Sequence, residues 1–238
     1  MTSIDWALAL LVTAGAATVQ GVVGIGFAMI AVPILSLIDP QMAPVPQLFL
    51  TIPLTIAMAW RERRGIDMSG IGWILVGRVP GAAIGLALLA VATGAALDLM
   101  IGLLVLGAVV IIGSGYHVRR NRSSEFGAGV FSGVSGLVAS MGGPPLALLY
   151  SGEAGETSRP SLSAIFTVGL TITIVVRVLA GYVTTTDLKI AAVLFPALLA
   201  GYLMSGVVKD RVNAGQLRIA VLTLSTLAAA GLIVRGLI

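Results

Sequence analysis

The sequence Met141-Gly142-Gly143-Pro144-Pro145 interrupts an apolar segment that otherwise has the composition of a membrane-spanning helix. The two prolines lack an N–H group and clash with the preceding helical turn, and the two glycines add backbone freedom. Hydrocarbon tolerates broken backbone only where protein or a water-filled cavity covers it. The stretch therefore predicts a discontinuous helix inside a bundle, with the break lining a binding site.

The composition around this break is that of a membrane protein. Apolar residues make up 58% of the 238 residues and charged residues 10%, and the mean hydropathy is +1.06. No soluble domain of this length buries so much apolar surface, so we expect a polytopic protein whose main partner is the lipid bilayer. The basic pI near 10.0 comes from short loops, where Lys and Arg set membrane orientation, so we expect no nucleic-acid partner. The absence of cysteine excludes disulfides and Cys-based metal sites.

Eight apolar stretches follow one another along the chain, most of them close to the ~20 residues that span hydrocarbon. The first stretch is too long for one ordinary span and contains Gly21-Val22-Val23-Gly24-Ile25-Gly26, so we expect it to break into two arms, as the fifth does. The stretches cover residues 4–38, 44–60, 71–92, 97–116, 127–151, 161–182, 188–208 and 216–236.

An internal repeat accounts for the two broken stretches. Residues in the first half match residues 116 to 120 positions later, which predicts two copies, residues 1–118 and 127–238, that form a single transport domain. Such repeats commonly meet at a substrate site near the membrane midplane, built from discontinuous helices. The matched pairs are Gly26 and Gly142, Arg61 and Arg177, Asp67 and Asp187, and Gly81 and Gly201.

The basic loops bear on whether the copies are parallel or inverted. If all eight stretches cross the membrane, the third basic cluster lies opposite the other two. If the first and fifth stretches are re-entrant hairpins, the copies are inverted and all three clusters face the cytoplasm. We favour an all-α integral membrane fold of two inverted repeats, each with a Gly-rich broken or re-entrant first segment followed by three membrane-spanning helices. The clusters are Arg61-Glu62-Arg63-Arg64, Arg119-Arg120-Asn121-Arg122 and Lys209-Asp210-Arg211.

The two breaks are the candidate binding region. A helix break presents unpaired N–H groups and a positive dipole end, which suit an anion, and glycine lets a ligand approach them closely. Close helix packing through small residues is the alternative explanation for the glycines. The candidates are Gln20, Gly24 and Gly26 in the first copy and Ser135, Ser140, Gly142 and Gly143 in the second.

Charged residues add one more candidate. Every acid lies near the end of an apolar stretch, so the sequence shows no carboxylate relay at mid-membrane. Arg78 and Arg177 do fall within apolar stretches, where a charge costs ~2.5–3.5 kcal/mol and needs a partner or an aqueous cavity. An anionic substrate is a sensible partner, so Arg177 joins the candidate site, with snorkelling to the interface as the alternative.

The sequence contains none of the common enzyme motifs. It contains no Gly-x-x-x-x-Gly-Lys, His-Glu-x-x-His or Gly-x-Ser-x-Gly motif, and its single histidine cannot form a multi-His metal site. We therefore expect no enzymatic activity, no cofactor and no metal. Residues Met1–Asp5 carry an acid and no base, so we also expect no cleaved signal peptide.

Two segments, Gly21–Pro33 and Gly133–Pro145, resemble the TauE/SafE sulfite exporter family, also called the 4-toluene sulfonate uptake permeases. The resemblance covers the whole chain and implies a multi-pass transporter of sulfite, sulfonates and related organosulfur anions. It also implies that the Gly-rich segments of both copies form the substrate region. The family's glycine-rich run is reduced here to Gly24-Ile25-Gly26-Phe27, so we expect Phe27 to narrow or reshape the site, and the resemblance alone does not fix the substrate.

Taken together, these features predict a secondary-type transporter, more specifically an exporter, of small sulfur anions such as sulfite and sulfoacetate. We expect it in the cell membrane, as a multi-pass protein of a bacterial inner membrane. The two breaks would meet near the midplane, and movement of one copy against the other would alternate access. A passive anion channel and a non-transporting scaffold are the alternatives. A coupling proton or cation and a homo-oligomer stay open.

Overall fold

The computed structural model describes residues 1–209 and 211–238, so Asp210 of the third basic cluster lies outside the described residues. All regular secondary structure in the described residues is helical, including two short 3-10 turns at Pro40–Met42 and Arg63–Gly65. The helices are α1 (Ser3–Val23), α2 (Phe27–Ile38), α3 (Val45–Arg61), α4 (Ile71–Val91), α5 (Gly94–Gly113), α6 (Arg122–Ala139), α7 (Gly143–Leu149), α8 (Gly155–Leu179), α9 (Thr185–Val208) and α10 (Ala214–Leu237).

The first and fifth apolar stretches are both broken, as the sequence predicts. Break one (residues 24–26) separates α1 from α2, and its Gly24 and Gly26 have φ angles of 94° and 124°, which side chains disfavour. Break two (residues 140–142) separates α6 from α7, with Ser140 at φ 55°. Pro144 and Pro145 lie in the first turn of α7, where a missing N–H costs nothing. The prolines therefore begin the second arm of the broken segment.

Each of the remaining helices belongs to a segment that is long and apolar enough to cross a bilayer. Among the described residues seven helical segments meet this condition, so the chain is a multi-pass membrane protein. The two broken segments supply only one of the seven, because α2 and α7 are short and α6 begins with polar residues. The seven segments are Ser3–Val23, Pro40–Arg61, Ile71–Val91, Gly94–Gly113, Gly155–Leu179, Thr185–Val208 and Gly215–Leu237.

Glycines bring the broken helices into backbone contact with helices from the other half of the chain. α4 packs on α6, and a Cβ atom added to Gly81 would clash with the carbonyl oxygen of Val130. α9 packs on α1 in the same way, with Gly201 against the carbonyl oxygen of Ala14. Val130 and Ala14 are 116 residues apart, so the two contacts join corresponding positions of the two halves. This is the small-residue packing typical of membrane helices.

The helices α5 and α10 run antiparallel and define two ends of the bundle. At one end Arg218 donates to the carbonyl oxygen of Ile112, and at the other Arg235 pairs with Asp98. The end with Arg218 is called the basic end, because the loop that carries Arg120 lies there. The end with Arg235 is called the opposite end. The α1–α2 hairpin returns to the opposite end and the α6–α7 hairpin returns to the basic end.

Candidate functional site

The two breaks meet at one cavity, which we call the central cavity. Its volume is about 30 Å³, two to three times the ~10–15 Å³ that a single water molecule needs. Both breaks and the middle turns of α3 and α8 contribute to its walls, which are mainly apolar with a few polar groups. The lining residues are Gln20, Ile25, Gly26, Ala28, Met29, Thr51, Ser140, Met141, Gly142, Gly143, Pro144, Phe166 and Leu170.

Backbone N–H groups of both breaks lack partners at this cavity. Within the described residues, the N–H groups of Ala28 and Met29 in the first turn of α2 donate no hydrogen bond, and neither do those of Gly142 and Gly143. These are the unpaired donors that a helix start leaves. The positive end of the α2 dipole adds to them. Residues with unpaired N–H groups from both halves of the chain therefore line the cavity.

Gln20 bridges the two sides of break one with a side-chain hydrogen bond. Its side-chain Oε1 accepts a hydrogen bond of 3.0 Å from the N–H of Phe27, the first residue of α2. The side chain is 4% exposed, so this bond is shielded from solvent. Gln20 thus fixes the start of α2 relative to the end of α1, and the same residue lines the cavity.

Break two is tied to the surrounding helices by two serine hydroxyls. Ser140 Oγ donates to the carbonyl oxygen of Pro44 at 2.7 Å, just before α3. Ser132 Oγ donates to the carbonyl oxygen of Gly142 at 2.6 Å and accepts from Nη1 of Arg78 at 2.7 Å. Both anchoring bonds are buried, so break two has a fixed geometry.

Five of the eight residues predicted from the sequence line the central cavity. Three do not: Gly24, Ser135 and Arg177. Gly24 packs against Arg159, and Ser135 donates to the carbonyl oxygen of Phe131 one turn back in α6. Such back-bonding is the usual local alternative for a helical serine. The five that line the cavity are Gln20, Gly26, Ser140, Gly142 and Gly143.

Arg177 and its repeat partner Arg61 bind helix ends. Arg177 donates from Nε to the carbonyl oxygen of Leu137 at 3.0 Å, and Arg61 donates to that of Gly21 at 3.1 Å. Leu137 and Gly21 are themselves 116 residues apart. Cations at the C-terminal turns of α6 and α1 are favourable because they offset the negative dipole end and bind free carbonyls. The charge-offsetting role predicted for Arg177 therefore has no support from its position outside the cavity lining.

Other residues of the cavity lining were not predicted from the sequence. Ile25, Phe166 and Leu170 line the cavity, and no motif marks them because apolar residues fill every stretch of this chain. Thr51 also lines it. Arg78 is different, since a cation inside an apolar stretch is visible in the sequence. It is 1% exposed and lies directly behind break two.

Two further cavities lie toward the two ends of the bundle. A vestibule of about 270 Å³ opens at the basic end and shares Ile25 with the central cavity. At the opposite end a cavity of about 120 Å³ is bordered by Ser36 and Asp98. There Asp98 binds Arg235 through both carboxylate oxygens, at 2.7 and 2.6 Å, and Arg235 also donates to the Ser36 carbonyl at 2.6 Å. The side chain of Ile25 thus lies between the central cavity and the vestibule, and the Asp98–Arg235 ion pair lies beside the cavity at the opposite end.

An ion-pair network surrounds Arg120 at the basic end. Its guanidinium lies 2.8 Å from Asp67, 3.5 Å from Glu153 and 3.6 Å from Glu125. Hydrogen bonds from Ser69 and then from Arg120 lower the pKa of Asp67 to about 2. Among the described residues no group of three or more His, Cys, Asp and Glu side chains could hold a metal ion.

A family model described as Sulfite exporter TauE/SafE matches residues 8–232. The matched range contains both breaks and every residue that lines the central cavity. The resemblance identified from Gly21–Pro33 and Gly133–Pro145 is thereby confirmed. No curated protein and no solved structure matches the chain.

Proposed function

Because the chain belongs to the sulfite exporter TauE/SafE family, we propose that it is a secondary-type transporter that exports sulfite or small sulfonates such as sulfoacetate. Membership supports a membrane transporter of sulfur anions as the broad class. The observation that carries the finer proposal is the meeting of two broken helices at one cavity lined by unpaired N–H groups.

The chemistry of the cavity suits a sulfur oxyanion. Sulfite and sulfonate oxygens accept hydrogen bonds, and a charged acceptor strengthens each of them. The N–H groups of Ala28 and Met29 approach from one half, and those of Gly142 and Gly143 from the other. In this proposal they bind the oxygens of one anion, and the amide of Gln20 adds a side-chain donor. Discontinuous helices serve anionic substrates in this way in other transporters.

The proposal includes two inverted repeats, residues 1–118 and 127–238. Its support is that the corresponding helices α5 and α10 run antiparallel and that the two hairpins return to opposite ends. The loops with Arg61–Arg64 and Arg119–Arg122 then share the basic end. By the positive-inside rule we assign this end to the cytoplasmic side of a bacterial inner membrane.

Access to the site alternates between the two ends in this proposal. The vestibule at the basic end would admit cytoplasmic substrate past Ile25, while the Asp98–Arg235 pair closes the opposite end. Export would then require the pair to open and the vestibule to close around the same site.

Flux into proteoliposomes tests the proposal. We expect saturable flux of sulfite or sulfoacetate and none of chloride. Gly143→Ala should lower that flux in normally folded protein, because its Cβ would meet Phe166 Cζ at 3.4 Å, an ordinary contact, while narrowing the cavity. Gly206→Ala is the matched control, since nothing lies within 4 Å of its Cβ position.

The alternatives give different results in the same assay. A passive channel would give unsaturable, voltage-driven current. A scaffold would give no flux, and the Gly143→Ala substitution would then change nothing but stability. Absence of saturable flux for every sulfur anion tested would reject the proposed substrate class.

A further inference from the structure

Arg78 is a buried cation without an acidic partner. It lies on α4, is 1% exposed, and takes part in no ion pair among the described residues. Its Nη1 donates to Ser132 Oγ at 2.7 Å, and its Nη2 has no hydrogen-bond partner in the described chain. A buried charge held by one hydroxyl is costly, since buried charges are normally paired. A negative ligand nearby would offset that cost.

Three glycines from three parts of the chain make room for the guanidinium. A Cβ added to Gly169 of α8 would overlap Cζ of Arg78, and one on Gly136 of α6 would lie 3.1 Å from Nη2. A Cβ on Gly142 of break two would lie 3.0 Å from Nη1. Gly142 also lines the central cavity, so the guanidinium lies against the rear of a cavity wall.

A hydrogen-bond chain connects the guanidinium to the donors in that wall. Arg78 donates to Ser132, and Ser132 donates to the carbonyl oxygen of Gly142 at 2.6 Å. That carbonyl shares one planar trans peptide with the N–H of Gly143, which points the opposite way. Hydrogen bonds in such chains polarise one another, so bonding at the carbonyl strengthens the Gly143 N–H as a donor.

The position that corresponds to Arg78 in the second half of the chain carries no charge. Gly81 and Gly201 occupy corresponding positions in α4 and α9, and the residue three positions before Gly201 is Leu198. Leu198 is 3% exposed and belongs to an apolar cluster. The position that corresponds to Arg78 is therefore apolar in the second half of the chain.

We propose that Arg78 is the positioning residue that sets the charge preference of the central cavity, acting through Ser132 and the Gly142–Gly143 peptide. The inference rests on the proposed function, because it takes the cavity to be an anion site. A fixed positive charge in a medium of low dielectric attracts a dianion more strongly than a monoanion of the same head-group shape. Arg78 thus favours the more highly charged sulfur oxyanions.

The test compares sulfate, a dianion, with methanesulfonate, a monoanion with a similar sulfonyl head group. Binding of each to purified full-length protein is measured by the ligand-induced rise in unfolding temperature. The unmodified chain should prefer sulfate, and Arg78→Met should reduce that preference at least about tenfold. Arg78→Lys keeps the charge but not the guanidinium that donates to Ser132, so its preference should lie between those of the unmodified chain and Arg78→Met.

The outcomes separate this inference from the proposed function. If the unmodified chain binds neither anion, the proposed anion site itself fails. If it binds both and Arg78→Met weakens both equally, Arg78 is only structural and the inference is overturned. If Arg78→Met does not fold, Ser132→Ala provides the second test, because it breaks the connection to Gly142 and should reduce the same preference.

Discussion

Replacing Asp98 with asparagine should open the opposite end of the bundle. The Asp98 carboxylate binds Arg235 through both oxygens, and the side chains are only 16% and 32% exposed. Exposed ion pairs contribute ~0.2–1 kcal/mol to stability, and bidentate arginine–carboxylate pairs contribute more. We therefore assign the pair about 1–2 kcal/mol of stabilisation of the closed state, so Asp98→Asn should raise the population open at that end by roughly 5- to 30-fold.

The chain offers a clean assay for this shift, because it contains no cysteine. Ser36 borders the cavity at the opposite end, is 2% exposed, and its hydroxyl has no hydrogen-bond partner in the described chain. Ser36→Cys therefore costs no hydrogen bond and places one thiol behind the ion pair. Its rate of reaction with a membrane-impermeant thiol reagent measures opening, and Asp98→Asn should raise that rate by the same factor.

Glu153→Gln is the matched control for this experiment. It removes a carboxylate that lies 3.5 Å from Arg120 at the basic end, far from Ser36. It should leave the labelling rate at the Ser36→Cys position unchanged. Equal rates with and without Asp98→Asn, in folded protein, would show that the ion pair does not hold this end closed.

Three further predictions concern stability, each measured as a change in unfolding temperature. Gly201→Ala should destabilise the protein by ~1–3 kcal/mol, because its Cβ would clash with backbone, whereas Gly206→Ala faces open space and should be neutral or stabilising by up to ~1 kcal/mol. Equal effects would contradict the packing described. Gly26→Ala should cost ~1–3 kcal/mol, because φ is 124° there, and an unchanged unfolding temperature would refute that strain. Asp67 has its pKa lowered to about 2, so its stabilisation is present above the unfolded value of 3.8 and is lost as the pH falls through 2. Asp67→Asn should therefore lower the unfolding temperature at neutral pH, and the difference should shrink toward pH 2; a constant difference would contradict this linkage.

The breaks could be predicted from the sequence because glycine and proline act locally. Two glycines followed by two prolines strongly disfavour the continuation of a helix, and the structure places a break at residues 140–142. The 116-residue offset between Arg61 and Arg177 was also visible, and the structure gives both the same carbonyl-binding position. The positions of the breaks and the correspondence of the two arginines could thus be predicted from local sequence and from the internal repeat.

The contacts of individual side chains could not be predicted in the same way. The position of Arg78 depends on glycines in α6, α8 and break two, which lie 58 or more residues away along the chain. Arg177 was assigned to the cavity because its stretch is apolar, yet the last carbonyls of α6 accept its hydrogen bonds. Pairing of Asp98 with Arg235 likewise joins residues 137 positions apart. Only tertiary packing decides between such partners.

The backbone contacts at Gly81 and Gly201 also determine which parts of the molecule can move as rigid bodies. α4 cannot slide along α6, and α9 cannot slide along α1, without driving main-chain atoms into each other. Each interlocked pair combines a hairpin arm from one half of the sequence with a spanning helix from the other. A conformational cycle that preserves these contacts therefore moves α4 together with α6, and α9 together with α1. The rigid bodies of such a cycle differ from the two sequence repeats.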